Sequence, residues 1–287
     1  MSTQAKATFT SRGYKLVGHL YPPVVNSPIS FGAAVVIAHP WTSVKEHSPV
    51  HYARVLSQAG FYCLAYGAAH QGESEGEPRY LEDPGQRVED IKSAVTYLVR
   101  RDEIDSEKIG AVAISAGVCS GTMARRGLDK DGSNPDILHT QLEAAARDRN
   151  SDVTGEKFDM VQMLPDDFDP ATAPAEMPES FRDLASYYCT SRATATHPRV
   201  PNLCLPQSWD IMSNFDAFAW NQLISPRPFL AITGNKAASK WYSEDAVAKA
   251  KEPKELFVVD GLTHADLYDN VEVAGPKLNE FFGKYLV

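Results

Sequence analysis

Ile109-Gly110-Ala111-Val112-Ala113-Ile114 is a short apolar run that passes directly into Ser115-Ala116-Gly117. Small residues around a serine at a strand-to-helix turn permit the sharp bend of a nucleophile elbow, which lifts the hydroxyl above the sheet edge. Alanine at 113 stands where the usual motif has its first glycine, and Ser-Ala-Gly also makes a plain helix N-cap. A hydroxyl attacks a carbonyl only when a neighbouring imidazole accepts its proton. Phe257-Val258-Val259 followed by Asp260-Gly261-Leu262-Thr263-His264 offers such a base, in a loop after a strand late in the chain. The bland alternative is a loop histidine that bonds a carbonyl. An oxyanion hole needs two backbone N–H donors. Ala116 is one candidate, and Trp41 or Thr42, from His39-Pro40-Trp41-Thr42, is the other. Trp41 also suits the wall of an acyl pocket, or simple core packing.

The elements that would position these groups alternate between strand and helix. Thr8 to Thr10 and Tyr14 to Tyr21 flank Ser11-Arg12-Gly13 and read as an antiparallel hairpin. Ala33 to Ala38 is a continuous apolar run, suited to a strand buried on both faces. His51 to Ala59 reads as a helix closed by Gly60, and Phe61 to Tyr66 as the next strand. Val88, Ile91, Val95 and Leu98 recur at helical spacing, and Ile109 to Ile114 reads as another buried strand. Near the end come a strand at Phe229 to Thr233, a helix at Ser243 to Ala250, a strand at Glu255 to Val259 and a helix at Pro276 to Leu286. Such alternation implies βαβ crossovers and an α/β fold with a mostly parallel twisted sheet flanked by helices.

Between them the chain changes character. Residues 127–221 are rich in Pro, Asp, Ala and Thr, with interrupted helical stretches such as Ile137 to Arg149 and no continuous β-run. Phe181, Tyr187, Tyr188, Trp209, Phe215, Phe218 and Trp220 are too many aromatics for a solvated tether. A helical cap at 127–221 is therefore expected, inserted between core segments 1–126 and 222–287.

The 28 Lys and Arg against 37 Asp and Glu give a formal net charge of −9, which argues against non-specific nucleic-acid binding. No apolar run approaches the roughly 20 residues of a membrane helix. The first residues hold no signal-peptide stretch. Cys63, Cys119, Cys189 and Cys204 lack CxxC spacing, so reduced thiols in a cytoplasmic setting are expected. There is no GxGxxG after a strand and no GxxxxGK[ST], and hence no support for a nucleotide cofactor. His47 and His51 stand at i, i+4, but Pro49 lies between them, and a capped helix start is favoured over metal binding. Glu73, Glu75 and Glu77 read as a solvated turn.

His39-Pro40-Trp41-Thr42-Ser43-Val44-Lys45-Glu46-His47 resembles the HPxxxVKEQ stretch of a dienelactone-hydrolase-like branch of the α/β hydrolases. That branch includes fungal enzymes that tailor polyketides as hydrolases or acyl transferases. Residues 70–74, 82–90, 243–246 and 264–269 look like it too, so the resemblance covers most of the chain outside the cap. It implies the α/β-hydrolase fold, a nucleophile at Ser115, a base at His264 and, because relatives often self-associate, a homodimer. Three departures stand out. Relatives pass from the elbow through a helix and another strand before the cap, and Ser115 to Leu128 also resembles the segment after that strand. In that alignment Ser115 only imitates an elbow. The acid that orients the histidine should follow Phe229 to Thr233, yet Asn235-Lys236-Ala237-Ala238-Ser239 holds no carboxylate. Glu244, Asp245 and Asp266 are the substitutes within reach, none at the expected place. Gly67 stands where relatives usually carry Asp.

The expected activity is attack on an ester, lactone or thioester of a bulky apolar, polyketide-like small molecule through an acyl-enzyme, ending in hydrolysis or acyl transfer. Two alternatives stay open: a repurposed cyclase, isomerase or lyase using His264 as a lone general base, and a non-catalytic binding protein on the same scaffold.

Overall fold

Strands β1 (Ala5–Ser11) and β2 (Tyr14–Tyr21) pair antiparallel with Ser11 opposite Tyr14. Arg12 and Gly13 both take positive φ, 44° and 92°, the two-residue turn whose twist matches its flanking strands. The computed structural model describes residues 4–28, 31–115, 135–154, 160–164, 168–169, 172–174, 177–194 and 200–287. The chain divides into two units, one of residues 1–76, 86–117 and 267–287, the other of 77–85 and 118–266.

In the first unit, β3 (Ala34–Ala38) lies between β4 (Tyr62–Tyr66) and β5 (Ile109–Ala113) and is parallel to both; β2 closes onto β4 antiparallel. The order is β1-β2-β4-β3-β5. Every residue of β3 is buried, as its unbroken apolar run requires. Helix α1 (Ser48–Ala59) starts with Pro49 in its first turn and stops at Gly60, whose φ of 114° turns its N–H back to the carbonyl of Leu56. Helix α2 (Pro84–Val99) packs Ile91, Val95 and Leu98 against a core of Phe9, Leu16, Val36, Leu64 and Tyr66. Val88, the first residue of its apolar stripe, is exposed. One strand departs from expectation. Ile109 to Ile114 reads as buried, but Ala111 and Ala113 of β5 are exposed; among the described residues β5 pairs only with β3. The apolar run signals strand; it cannot say whether a neighbour covers both faces.

In the second unit, β8 (Phe229–Gly234) and β9 (Lys254–Val259) pair parallel, with helix α7 (Lys240–Lys249) between them in sequence. Phe218 packs with Trp241, Tyr242 and Ala246 of α7, the indole of Trp241 stacked on Tyr242 at 3.7 Å. The described parts of 127–221 hold helices α3 (Pro135–Thr154), α4 (Glu179–Tyr188), α5 (Ser191–Thr194) and α6 (Gln207–Ser213). They also hold a two-residue β6–β7 pair, Val161–Gln162 with Leu203–Cys204, that the sequence does not announce. Helix α3 packs against α6, where Arg149 and Asp210 form an ion pair at 2.6 Å. Tyr187, Tyr188, Trp209 and Phe218 are buried, which a solvated tether would not achieve. Among the described residues no helix is long and apolar enough to cross a membrane.

Candidate active site

Three of the predicted site residues lie in the first unit, on loops leaving β3 and β5. Ala38 and Ala113 are direct partners in that pair, and the N–H of Ile114 still bonds the carbonyl of Ala38 at 3.2 Å. Ser115 therefore leaves β5 alongside the loop that carries Trp41 and Thr42 out of β3. Ser115 is half-buried with φ of 55°, and Thr42 is buried with φ of 53°. Left-handed backbone at a non-glycine residue, above all a β-branched one, stores about 1–3 kcal/mol and recurs at functional sites. Trp41 is buried. Ala116 lies outside the described residues.

His39 explains how the β3 loop is held. Its Nε2 accepts the N–H of Ala68 at 3.0 Å, so its Nδ1 carries the proton and donates to the carbonyl of Pro40 at 2.7 Å. Arg87 donates to the carbonyl of His39 at 2.9 Å, and Asp90 accepts the N–H of Ala69 at 2.9 Å and the side-chain amide of Gln86 at 2.7 Å. Gln86, Arg87 and Asp90 share one face of α2, spaced as helical neighbours. They tie down the loops after β3 and β4. Lys45 is only 2% exposed and bonds Glu46 and, at 3.2 Å, Glu73. That contact holds the Glu73 carboxyl below the usual range. Glu75 accepts the N–H of Lys15 at 3.0 Å. Glu73 and Glu75 thus fasten a loop instead of only facing solvent. His47 precedes α1 as its N-cap without a side-chain cap bond; its Nδ1 meets the Ser43 hydroxyl at 3.1 Å.

Burial, then the charge of Arg87, pushes the imidazole of His39 well below the ordinary histidine range. The unfolded chain takes up that proton near pH 6.5, so it binds more protons than the folded state below that pH. Stability must then fall on acidification from about pH 6.5, by about 1 kcal/mol per pH unit from His39 alone. His19, His51 and His264 are lowered too and add to the slope. Urea unfolding at pH 7.5, 6.5 and 5.5 measures this; a constant midpoint would contradict it.

His264 lies in the second unit, half-buried in the loop after β9. Thr263-His264-Ala265-Asp266 forms a capping box ahead of α8 (Asp266–Asp269). The Thr263 N–H donates to Asp266 Oδ2 at 3.0 Å, and the Asp266 N–H to Thr263 Oγ1 at 3.2 Å. Asp183 on α4 grips both sides of the histidine, accepting the Thr263 hydroxyl at 2.6 Å and the Ala265 N–H at 3.0 Å. Arg192 donates to the carbonyl of Ala265 at 3.0 Å. The Nδ1 of His264 sits 2.6 Å from the hydroxyl of Ser239. Burial lowers the imidazole pKa, and the Asp183 charge opposes the shift without cancelling it. The three acids weighed from sequence are occupied otherwise. Glu244 pairs with Lys240 and Asp245 with Lys249 along α7, while Asp266 bonds Thr263 and approaches Arg192 at 3.5 Å. Ser239 lies in the stretch where the acid is expected, but its hydroxyl did not mark it; Asp183, on α4, carries no sequence signal at all.

No family model matches the chain. The uncharacterized protein YcjY of Escherichia coli K12 is 31% identical over 87% of this chain and 86% of its own length. Protein PA2218 of Pseudomonas aeruginosa is 31% identical over 98% of this chain and 80% of its own. Its crystal structure aligns with a TM-score of 0.86 at 28% identity, covering 99% of this chain and 94% of that one. The α/β hydrolase GrgF of Penicillium sp. sh18 aligns with a TM-score of 0.79 at 23% identity over 99% of each chain. The chain belongs to one family with YcjY and PA2218 and has the α/β-hydrolase fold. Fungal proteins similar to it include the thiohydrolase aneE of Aspergillus aculeatus, 39% identical over 37% of this chain and 32% of that protein. Polyketide transferase ATR5 of Stachybotrys chlorohalonatus is 24% identical over 86% of this chain and 82% of its own. In an α/β hydrolase the loops that leave the sheet strands carry the chemistry, and the loops after β3, β5 and β9 are where the predicted residues lie.

Proposed function

We propose that the protein is an acyl hydrolase or acyl transferase acting on an ester, lactone or thioester of a bulky apolar, polyketide-like molecule. The observation that carries this reading is Ser115 at the end of β5 with left-handed φ, beside the Trp41-Thr42 loop that leaves the neighbouring strand β3. Ser115 Oγ attacks the carbonyl carbon while His264 takes its proton, giving a tetrahedral oxyanion held by the N–H groups of Ala116 and of Trp41 or Thr42. His264 then returns the proton to the departing alcohol or thiol, leaving an acyl-serine. Water, or an alcohol or amine acceptor, releases the acyl group by the same steps in reverse. A histidine held neutral by burial suits the base in this scheme. The names of the fungal relatives support the substrate class, and the exposed aromatics of 127–221, proposed as the cap, suit an apolar ligand. Trp220 is 69% exposed and Phe181 is also at the surface.

Incubation with a fluorophosphonate probe tests the mechanism. Mass spectrometry should find one adduct on the peptide containing Ser115, and Ser115→Ala should abolish it. An unlabelled Ser115, together with turnover that needs His264, would replace the acyl-enzyme by a lone-base reaction.

A further inference from the structure

We infer that Ser239 is the positioning residue of His264, doing with a neutral hydroxyl what a carboxylate does in a Ser-His-acid triad. The inference rests on the acyl-transfer reading of His264. Its geometry is local to the second unit. Ser239 follows β8 and sits at the N-cap of α7, where a serine hydroxyl ordinarily accepts a bond from the first turn. No such cap bond is made. The hydroxyl instead meets His264 Nδ1 at 2.6 Å, across 25 residues of sequence. The backbone carbonyl of Ser239 accepts the N–H of Tyr242 at 3.0 Å, so the residue is held by its helix while its side chain serves the histidine.

A base that works through Nε2 needs its proton on Nδ1, and some acceptor must hold it there. The Ser239 oxygen accepts that Nδ1–H, which leaves the lone pair on Nε2. What a hydroxyl lacks is charge, and the charge comes from Asp183, whose two oxygens bond Thr263 and Ala265 on either side of the histidine. The orienting and the charge-supplying roles, joined in one carboxylate elsewhere, are here divided between Ser239 on the α7 cap and Asp183 on α4. Arg192 on α5 and Asp266 on this loop pair with one another at 3.5 Å, and Asp260 at the start of the loop is bonded to Asn235.

Selective 15N-histidine labelling of the full chain reads the tautomer and pKa of His264 directly, with its signals assigned by comparison with His264→Gln. The wild type should carry its neutral proton on Nδ1. Ser239→Ala should move that proton to Nε2 and lower the pKa. Ser239→Asp should raise the pKa by about one unit or more. Ser239→Thr, which keeps a hydroxyl, should restore the wild-type tautomer. Against a p-nitrophenyl ester, Ser239→Ala should lose about 10²-fold in kcat with little change in KM. An Nε2–H tautomer in the wild type, or a tautomer and pKa indifferent to Ser239→Ala with circular dichroism intact, would overturn the assignment. The spectra need no turnover. If Ser115 resists the fluorophosphonate while the tautomer still follows Ser239, the acyl-enzyme fails and the positioning role stands.

Discussion

His264→Ala lowers kcat for an aryl ester or acyl thioester by about 10⁴-fold or more and slows fluorophosphonate labelling of Ser115 in parallel. The size of the effect follows from the chemistry of a hydroxyl. Without a base to take its proton, serine is a weak nucleophile, and no other side chain in the loop after β9 supplies an imidazole. The labelling rate matters as much as turnover, because phosphonylation needs the same proton transfer but no acyl acceptor. Since His264 has its pKa lowered by burial, the wild-type rate should already be on its plateau at pH 7. It should decline only as acid protonates the imidazole. A His264→Ala protein within tenfold of wild type in both assays would remove His264 from the chemistry.

Gly234→Ala is the second large effect, and it acts through space alone. Gly234 ends β8, and a Cβ there would stand 2.0 Å from the carbonyl oxygen of Leu262 and 2.6 Å from its carbon. Both are backbone atoms, and that oxygen already accepts the N–H of Lys236 at 3.0 Å, so no side chain can swing aside. Either the end of β8 or the 260–264 loop must shift by about 1 Å. Overpacking of this kind costs about 1–3 kcal/mol, visible as a lower urea midpoint. Displacing His264 by that amount should also cost about 10²-fold in turnover. Wild-type stability and turnover in Gly234→Ala would show that the strand end and the loop are not locked together as described.

Much of the architecture is written in short stretches of the chain. The Arg12-Gly13 turn, the unbroken apolar run of β3, the Gly60 stop of α1 and the spacing of Ile91, Val95 and Leu98 each depend on residues within a few positions of one another. Backbone sterics and burial periodicity act at that range, so these elements were legible. The loop location of His264 was legible for the same reason, because a strand and a glycine announce it.

What only the tertiary structure decided is which side chains meet. Ala111 and Ala113 are exposed although their apolar run looks the same as that of buried β3, a difference no local pattern records. Gln86, Arg87 and Asp90 look like an ordinary polar helix face until the loops after β3 and β4 close on them. Asp183 reaches Ala265 across 82 residues of sequence. Ser239 gives up a helix cap for an imidazole 25 residues away. Hydrogen-bond partners are chosen by the path of the folded chain, whereas helices, strands and turns are chosen by neighbours. The sequence alone therefore determined most of the helices, strands and turns and put forward a serine and a histidine as candidates. Folding decided that the partner of that histidine is a hydroxyl, with its carboxylate supplied from another helix.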